Sequence, residues 1–239
     1  MKIGILEAGI LNDDLKSRFD PYHVMFRNLL ERANPDFEYV SWSVIEGGSP
    51  DSILDCDGWI ITGSRHGVYE NLDWMIKLEG FIQEVNRASM PLVGICFGHQ
   101  IIAKALGGRV VKSDKGWGVG LHQYAVEETP DWLEDDQDQI GIYAFHQDQV
   151  VEKPPGATVL LSSEFCPYAG LKYANHIISV QGHPEFEPAY ETALLDIYGG
   201  KIVPVPDVDK ARDSMDEGQN AETDRLAKWI VRFFQKSRH

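Results

Sequence analysis

Between Leu92 and Gln100 an apolar run changes over to a helical pattern within a few residues, through Gly94-Ile95-Cys96-Phe97-Gly98. A strand that passes straight into a helix has to turn sharply at the junction, and flanking glycines leave room for that turn. Strand runs without polar alternation are buried on both faces, which places them in a parallel sheet covered by helices. This one segment therefore restricts the chain to the α/β class.

The rest of the first half agrees. Lys2–Glu7, Phe37–Ser43, Gly58–Thr62 and Pro91–Cys96 read as strands. Between them, apolar residues at Tyr22, Phe26, Leu29, Leu30 and Ala33 follow an Asp20-Pro21 N-cap and first-turn signal. Trp74, Leu78, Phe81, Ile82 and Val85 mark a second helix face, and Gly98–Leu106 a third that stops at Gly107-Gly108. After Arg109 the rhythm changes to short strands: Val110–Lys112, Val119–Val126, Gly141–Phe145, Thr158–Ser162 and His176–Gln181. These predict an antiparallel β extension on the same core, because no Pro/Gly/Ser linker sets them apart. The expectation is a single domain over residues 1–239: an open, mostly parallel sheet with helices on both faces and an antiparallel extension. Glu187–Tyr198 and Glu222–Phe234 read as closing helices, and Val205–Asp224, rich in charge and turn formers, as a mobile loop.

Composition narrows the partners. With 22 basic and 37 acidic residues the net charge is 22 − 37 = −15, a surface that repels nucleic acid. The longest apolar runs, such as Gly58–Ile61 and Pro91–Phe97, fall far short of the about 20 residues a membrane span needs. The N-terminus lacks the pattern of a signal peptide. Three cysteines, Cys56, Cys96 and Cys166, are too few and too odd a number for a disulfide framework and fit a reducing cytoplasm.

Cys96 is the cysteine with chemical context. At a strand-to-helix elbow its side chain projects from the top of the sheet, and the first N–H groups of the helix favour a thiolate and can hold an oxyanion. A thiolate nucleophile needs a base and a group to orient that base. Downstream stands Gly182-His183-Pro184-Glu185. Pro184 keeps His183 extended, and residues two apart in an extended chain share a face. Glu185 can thus hold one ring nitrogen of His183 and leave the other for the Cys96 sulfur. A third segment, Trp59–Gly67, is a buried strand that ends in a glycine-containing loop at the carboxyl edge of the sheet, where α/β folds bind ligands. Such a loop can supply a second oxyanion donor opposite Phe97, although a plain tight turn carries the same signature. The eight histidines are scattered, and Cys96-x-x-His99 has no second tight pair, so no metal site is expected.

Together these motifs resemble the class I (triad) glutamine amidotransferase family, over roughly Lys2 to Glu187. Both motifs stand in the family's order, 183 − 96 = 87 residues apart. The resemblance implies a flavodoxin-like fold, no cofactor, and a triad of Cys96, His183 and Glu185. It implies oxyanion donors at the backbone N–H of Phe97 and Ser64, and substrate contacts at Gly63, Gln100 and His146. The implied chemistry is hydrolysis of a γ-glutamyl carbonyl through a thioester. With glutamine as substrate, ammonia would pass to a separate synthetase. With a γ-glutamyl peptide or amide, an amine would leave and no partner would be needed.

Phe97-Gly98-His99-Gln100 and Phe145-His146-Gln147-Asp148-Gln149-Val150 resemble a standalone subgroup similar to the amidotransferase half of GMP synthetase and to plant-type γ-glutamyl peptidases. One departure concerns the loop, commonly Ser-Gly-Gly-Pro in the family but Thr62-Gly63-Ser64-Arg65 here. No phosphate-binding G-x-x-x-x-G-K-[ST] pattern occurs, so a synthetase site is not expected within these residues. Three alternatives compete. A dienelactone-hydrolase-like enzyme shares the Gly-x-Cys-x-Gly elbow, but there an Asp precedes the His. A metal site has only the scattered histidines in its favour. A partner-binding protein on a vestigial amidotransferase fold would show an inert Cys96 thiol. The apolar stripe of Glu222–Phe234 reads as core cover, with an interface, and hence a homodimer, as the other option.

Overall fold

Gly58–Ile61 and Leu92–Ile95 are buried at every position, and their side chains alternate between two cores. Ile60, Val93 and Ile95 point to one, Trp59, Ile61 and Leu92 to the other. The structure, a computed structural model, describes residues 1–130, 132–133, 137–216 and 221–237. Its elements are β1 (Lys2–Glu7), α1 (Asp13–Lys16), α2 (Tyr22–Ala33), β2 (Glu38–Ser43), β3 (Gly58–Ile61), α3 (Asp73–Arg87), β4 (Leu92–Ile95) and α4 (Phe97–Ala105). There follow β5 (Arg109–Lys112), β6 (Gly118–Val126), β7 (Gln139–His146), β8 (Asp148–Glu152), β9 (Ala157–Ser162), β10 (Gly170–Tyr173), β11 (Ile177–Val180), α5 (Pro188–Tyr198), α6 (Val205–Asp216) and α7 (Thr223–Lys236).

Among the described residues, nine strands form one sheet in the order β2-β1-β3-β4-β11-β10-β9-β6-β7. The first five are parallel to one another, and every pairing beyond β11 is antiparallel. Helices α2 and α7 cover one face, where Phe26, Leu30, Trp229, Ile230 and Phe234 pack on Ile3, Ile5 and Ile60. Helices α3 and α4 cover the other through Met75, Leu78, Ile82, Ile101 and Ile102. This is the expected open α/β sheet with helices on both faces. No helix among the described residues is long and apolar enough to cross a membrane.

Four expectations need correction. The strand at 176–181 is not part of the antiparallel extension: β11 lies parallel to β4 in the middle of the sheet, buried at all four positions. Its neighbours on both sides and helices on both faces supply the burial that its unbroken apolar run requires. The segment Val110–Lys112 also leaves the main sheet, because β5 pairs antiparallel with β8 as a separate ribbon. The stretch 205–216 is helix α6, not a loop. Val208 and Ala211, three residues apart, are buried against β6 residue Val119, so tertiary packing overrides a polar composition. Residues 217–220 of that expected loop lie outside the described residues. Finally, the N-cap of α2 is Pro21, with no side-chain cap; Asp20 stands one residue too early.

Because β1, β3, β4 and β11 run parallel, their carboxyl ends meet along one edge. That edge brings together Ala8-Gly9, Thr62-Gly63-Ser64, Cys96 and the segment from Gln181 to Glu185.

Candidate active site

Cys96 is the N-cap residue of α4, at φ 52° and ψ −102°. For a residue with a β-carbon this conformation costs on the order of 1–3 kcal/mol. The surroundings enforce it. The N–H of Cys96 donates to the carbonyl of Val180 (2.9 Å) and its carbonyl accepts from the N–H of Gln100 (3.1 Å). The two glycines are required by proximity. A β-carbon on Gly98 would stand 2.2 Å from the carbonyl oxygen of Ile61, and one on Gly94 would stand 2.6 Å from that of Gly98.

The imidazole of His183 is clamped from several directions. Its Nδ1–H donates to Glu185 Oε1 at 2.7 Å. Its ring stacks on Phe186 with centroids 3.9 Å apart and planes 7° from parallel. Its backbone N–H donates to the carbonyl of Tyr143 (2.7 Å), which ties the segment to β7. With Nδ1 committed to Glu185, Nε2 is the ring nitrogen left for the hydrogen bond with the Cys96 sulfur. Burial alone pushes this imidazole toward neutrality, but the Cys96 sulfur and the Glu185 carboxylate outweigh it and hold the ring well above the usual histidine range. The second carboxylate oxygen, Glu185 Oε2, is buried without a hydrogen-bond partner among the described residues. Glu185 also lines a cavity of about 500 Å³, together with Arg18, Phe19, Asn28, Arg32 and Tyr190 among others. Neither Cys96 nor His183 lines it.

The remaining expected residues separate into two groups. Phe97, Gly63 and Ser64 lie at the elbow. Phe97 opens α4, where the first backbone N–H groups have no intrahelical acceptor, while its side chain packs on Trp74. A β-carbon on Gly63 would meet both Cys96 and His183. Ser64 follows directly and accepts a hydrogen bond from the N–H of His66 through its Oγ (3.3 Å).

Gln100 and His146, by contrast, are buried and already engaged. Gln100 Nε2 donates to the carbonyl of Asp148 (2.9 Å) and to Gln181 Oε1 (3.1 Å). His146 Nδ1 donates to the same Asp148 carbonyl (3.1 Å), its Nε2 is buried without a partner among the described residues, and burial, the largest cause, pushes its pKa down to about 3, so the ring is neutral. Gln181 is a site residue that the motifs did not single out. Its Nε2 lies 3.7 Å from the Cys96 sulfur. The two-residue logic that pairs Glu185 with His183 also places Gln181 on the same face, so the signal was present. Among the described residues no group of three or more His, Cys, Asp or Glu is arranged to hold a metal ion.

Comparison with known proteins adds three findings. A family model described as glutamine amidotransferase class-I matches residues 27–202. Among relatives, gamma-glutamyl peptidase 3 of Arabidopsis thaliana is 33% identical over 192 residues, 77% of this chain and 76% of the relative. The glutamine-hydrolyzing GMP synthase component of Archaeoglobus fulgidus is 29% identical over 162 residues, 67% of this chain and 83% of the relative. In three dimensions, the glutamine amido transferase of Methylobacillus flagellatus superposes with a TM-score of 0.76 over 99% of this chain and 94% of the other, at 21% identity. That last likeness speaks for the fold.

Proposed function

This chain belongs to the class I glutamine amidotransferase family, and from that premise we propose that it hydrolyses γ-glutamyl peptides or amides, with Cys96 as the nucleophile. The observation that carries this reading is the His183 imidazole, fixed by Glu185 on one nitrogen and facing the elbow cysteine with the other.

In the proposed cycle the Cys96 sulfur attacks the γ-carbonyl. The negative charge that develops on oxygen is held by the N–H groups of Phe97 and Ser64; one such donor is typically worth about 10²–10³ in rate. His183 Nε2–H gives its proton to the departing nitrogen, and the C–N bond breaks to leave a γ-glutamyl thioester and a free amine. His183 then takes a proton from water, the resulting hydroxide adds to the thioester carbonyl, and glutamate departs as the C–S bond breaks. Glu185 keeps the Nδ1–H tautomer throughout and stabilises the imidazolium.

The peptidase form of the reading is supported by the Arabidopsis relative, whose name states that activity. A second reading has its own support in the Archaeoglobus GMP synthase relative: glutamine as substrate, with ammonia passed to a synthetase partner. One assay separates them. The protein is incubated with glutamine, glutathione and γ-glutamyl amides, and released glutamate is measured. Release from peptides and amides, abolished by Cys96→Ala, is expected. Release from glutamine alone favours the amidotransferase reading, and release that survives Cys96→Ala removes the mechanism.

A further inference from the structure

Besides His183, a second polar side chain stands at the Cys96 sulfur. It is that of Gln181, fully buried and tied by its backbone N–H to the carbonyl of Ala169 (2.7 Å). The amide of a glutamine can face either way, offering an oxygen or an N–H. Here neighbouring groups decide. The Asp148 carbonyl can only accept, so the atom of Gln100 that lies 2.9 Å from it must be Nε2. That same Nε2 lies 3.1 Å from Gln181, and a nitrogen donor there requires the Gln181 oxygen to face it. The Gln181 N–H group is thereby left facing the sulfur at 3.7 Å. A main-chain carbonyl on β8 thus sets, through two buried amides, which atom of Gln181 faces the nucleophile.

We propose that Gln181 is a further catalytic residue, donating its side-chain N–H to the Cys96 sulfur, with Gln100 as the positioning residue that holds the amide in the donor orientation. The proposal rests on Cys96 being the nucleophile. A neutral donor stabilises a thiolate without adding charge to a buried site, and it fixes the side chain in the direction His183 needs. The hydrogen bond is strongest to the thiolate and weakens once the sulfur is acylated, because a thioester sulfur is a poor acceptor. It therefore acts on the resting and attacking states and not on the intermediate. Gln181 and His183 reach the sulfur together because, two residues apart past the end of β11, they share a face.

The test is the pH profile of Cys96 alkylation by iodoacetamide, localised by peptide mass spectrometry, in wild type, Gln181→Leu, Gln181→Glu and Gln100→Leu. The other titratable groups whose charge the sulfur feels, His183, Tyr22, Tyr124 and Cys166, are retained in every variant. A hydrogen bond to a charged group predicts that Gln181→Leu moves the profile up by about one pH unit. Gln181→Glu, which keeps the shape but offers oxygen to the sulfur, moves it further. Gln100→Leu gives a smaller shift in the same direction, and the Gln100→Leu/Gln181→Leu double variant gives no more than Gln181→Leu alone. Should Gln181→Leu fail to fold, Gln181→Met, uncharged and without an N–H to donate, decides. Wild-type profiles in the Gln181 variants, with a reactive Cys96, overturn the role of Gln181 alone. A wild-type Cys96 that alkylates no faster than Cys56 and Cys166 overturns the nucleophile reading and this proposal with it.

Discussion

Gly63 packs flat against the edge of His183: a β-carbon at position 63 would stand 2.9 Å from Cε1 of the imidazole and 3.7 Å from Cβ of Cys96. The ring can yield only by disturbing its hydrogen bond to Glu185 through Nδ1 and its stack on Phe186. Gly63→Ala is therefore expected to displace the imidazole and not the backbone as a whole. Misplacement of a catalytic group by about 1 Å can cost about 10²-fold, so kcat for γ-glutamyl hydrolysis should fall by that order while the thermal midpoint barely moves. An unchanged kcat would show that the ring has room the packing denies it.

Glu185 has two separable effects on His183, orientation and charge. In Glu185→Gln the orientation is partly kept and the charge is lost. By analogy with established catalytic triads, kcat should drop by as much as about 10⁴-fold. Without the carboxylate the imidazolium is less favoured, so the pH limb governed by His183 should move to lower pH. A kcat–pH profile of both proteins checks the direction.

Glu191, on α5, is fully buried, with Oε1 accepting the N–H of Gly120 (2.9 Å) and Oε2 unpartnered among the described residues. Burial raises its pKa from 4.5 to about 8, against smaller lowering effects of the Gly120 hydrogen bond and His183. The folded state thus holds a proton that the unfolded chain releases above pH 4.5, so the contribution of Glu191 to stability is fully present below that pH and is lost as pH rises toward 8. Buried His99 and His146, both pushed down to about 3 by burial, act in the opposite sense below pH 6.5, so the comparison has to be between variants. Relative to wild type, Glu191→Gln should gain at least about 1 kcal/mol on going from about pH 5 to about pH 8.5, read from urea unfolding. A constant difference across that range would place the proton elsewhere.

Phe234, at the end of α7, is fully buried and packs against Gly58 and edge-on to Phe37. Truncation to alanine leaves a cavity between helix and sheet and is expected to cost about 3–5 kcal/mol in urea unfolding. Since this core lies on the α2–α7 face, kcat of the folded fraction should be retained.

Much of the site was legible in one dimension because its parts are local. The elbow is a contiguous motif, and the His183–Glu185 pair depends only on Pro184 keeping three residues extended. The strands and helices of the first half were legible from period alone. The antiparallel half was less so. β8 and β10 are short and flanked by polar turns, and α6 carries two buried residues in twelve, too few to show as a stripe.

Residue order was enough to specify the chemistry on offer, a cysteine between glycines at a strand–helix junction and an oriented histidine. It was also enough to specify the α/β class that such a junction demands. Folding in three dimensions was needed to put β11 beside β4, which carries His183 across 87 residues of chain to the cysteine, and to turn Gln100 toward Gln181. Hydrogen bonds between strands and between buried amides depend on which neighbours the packed sheet supplies, and no local pattern encodes that neighbour.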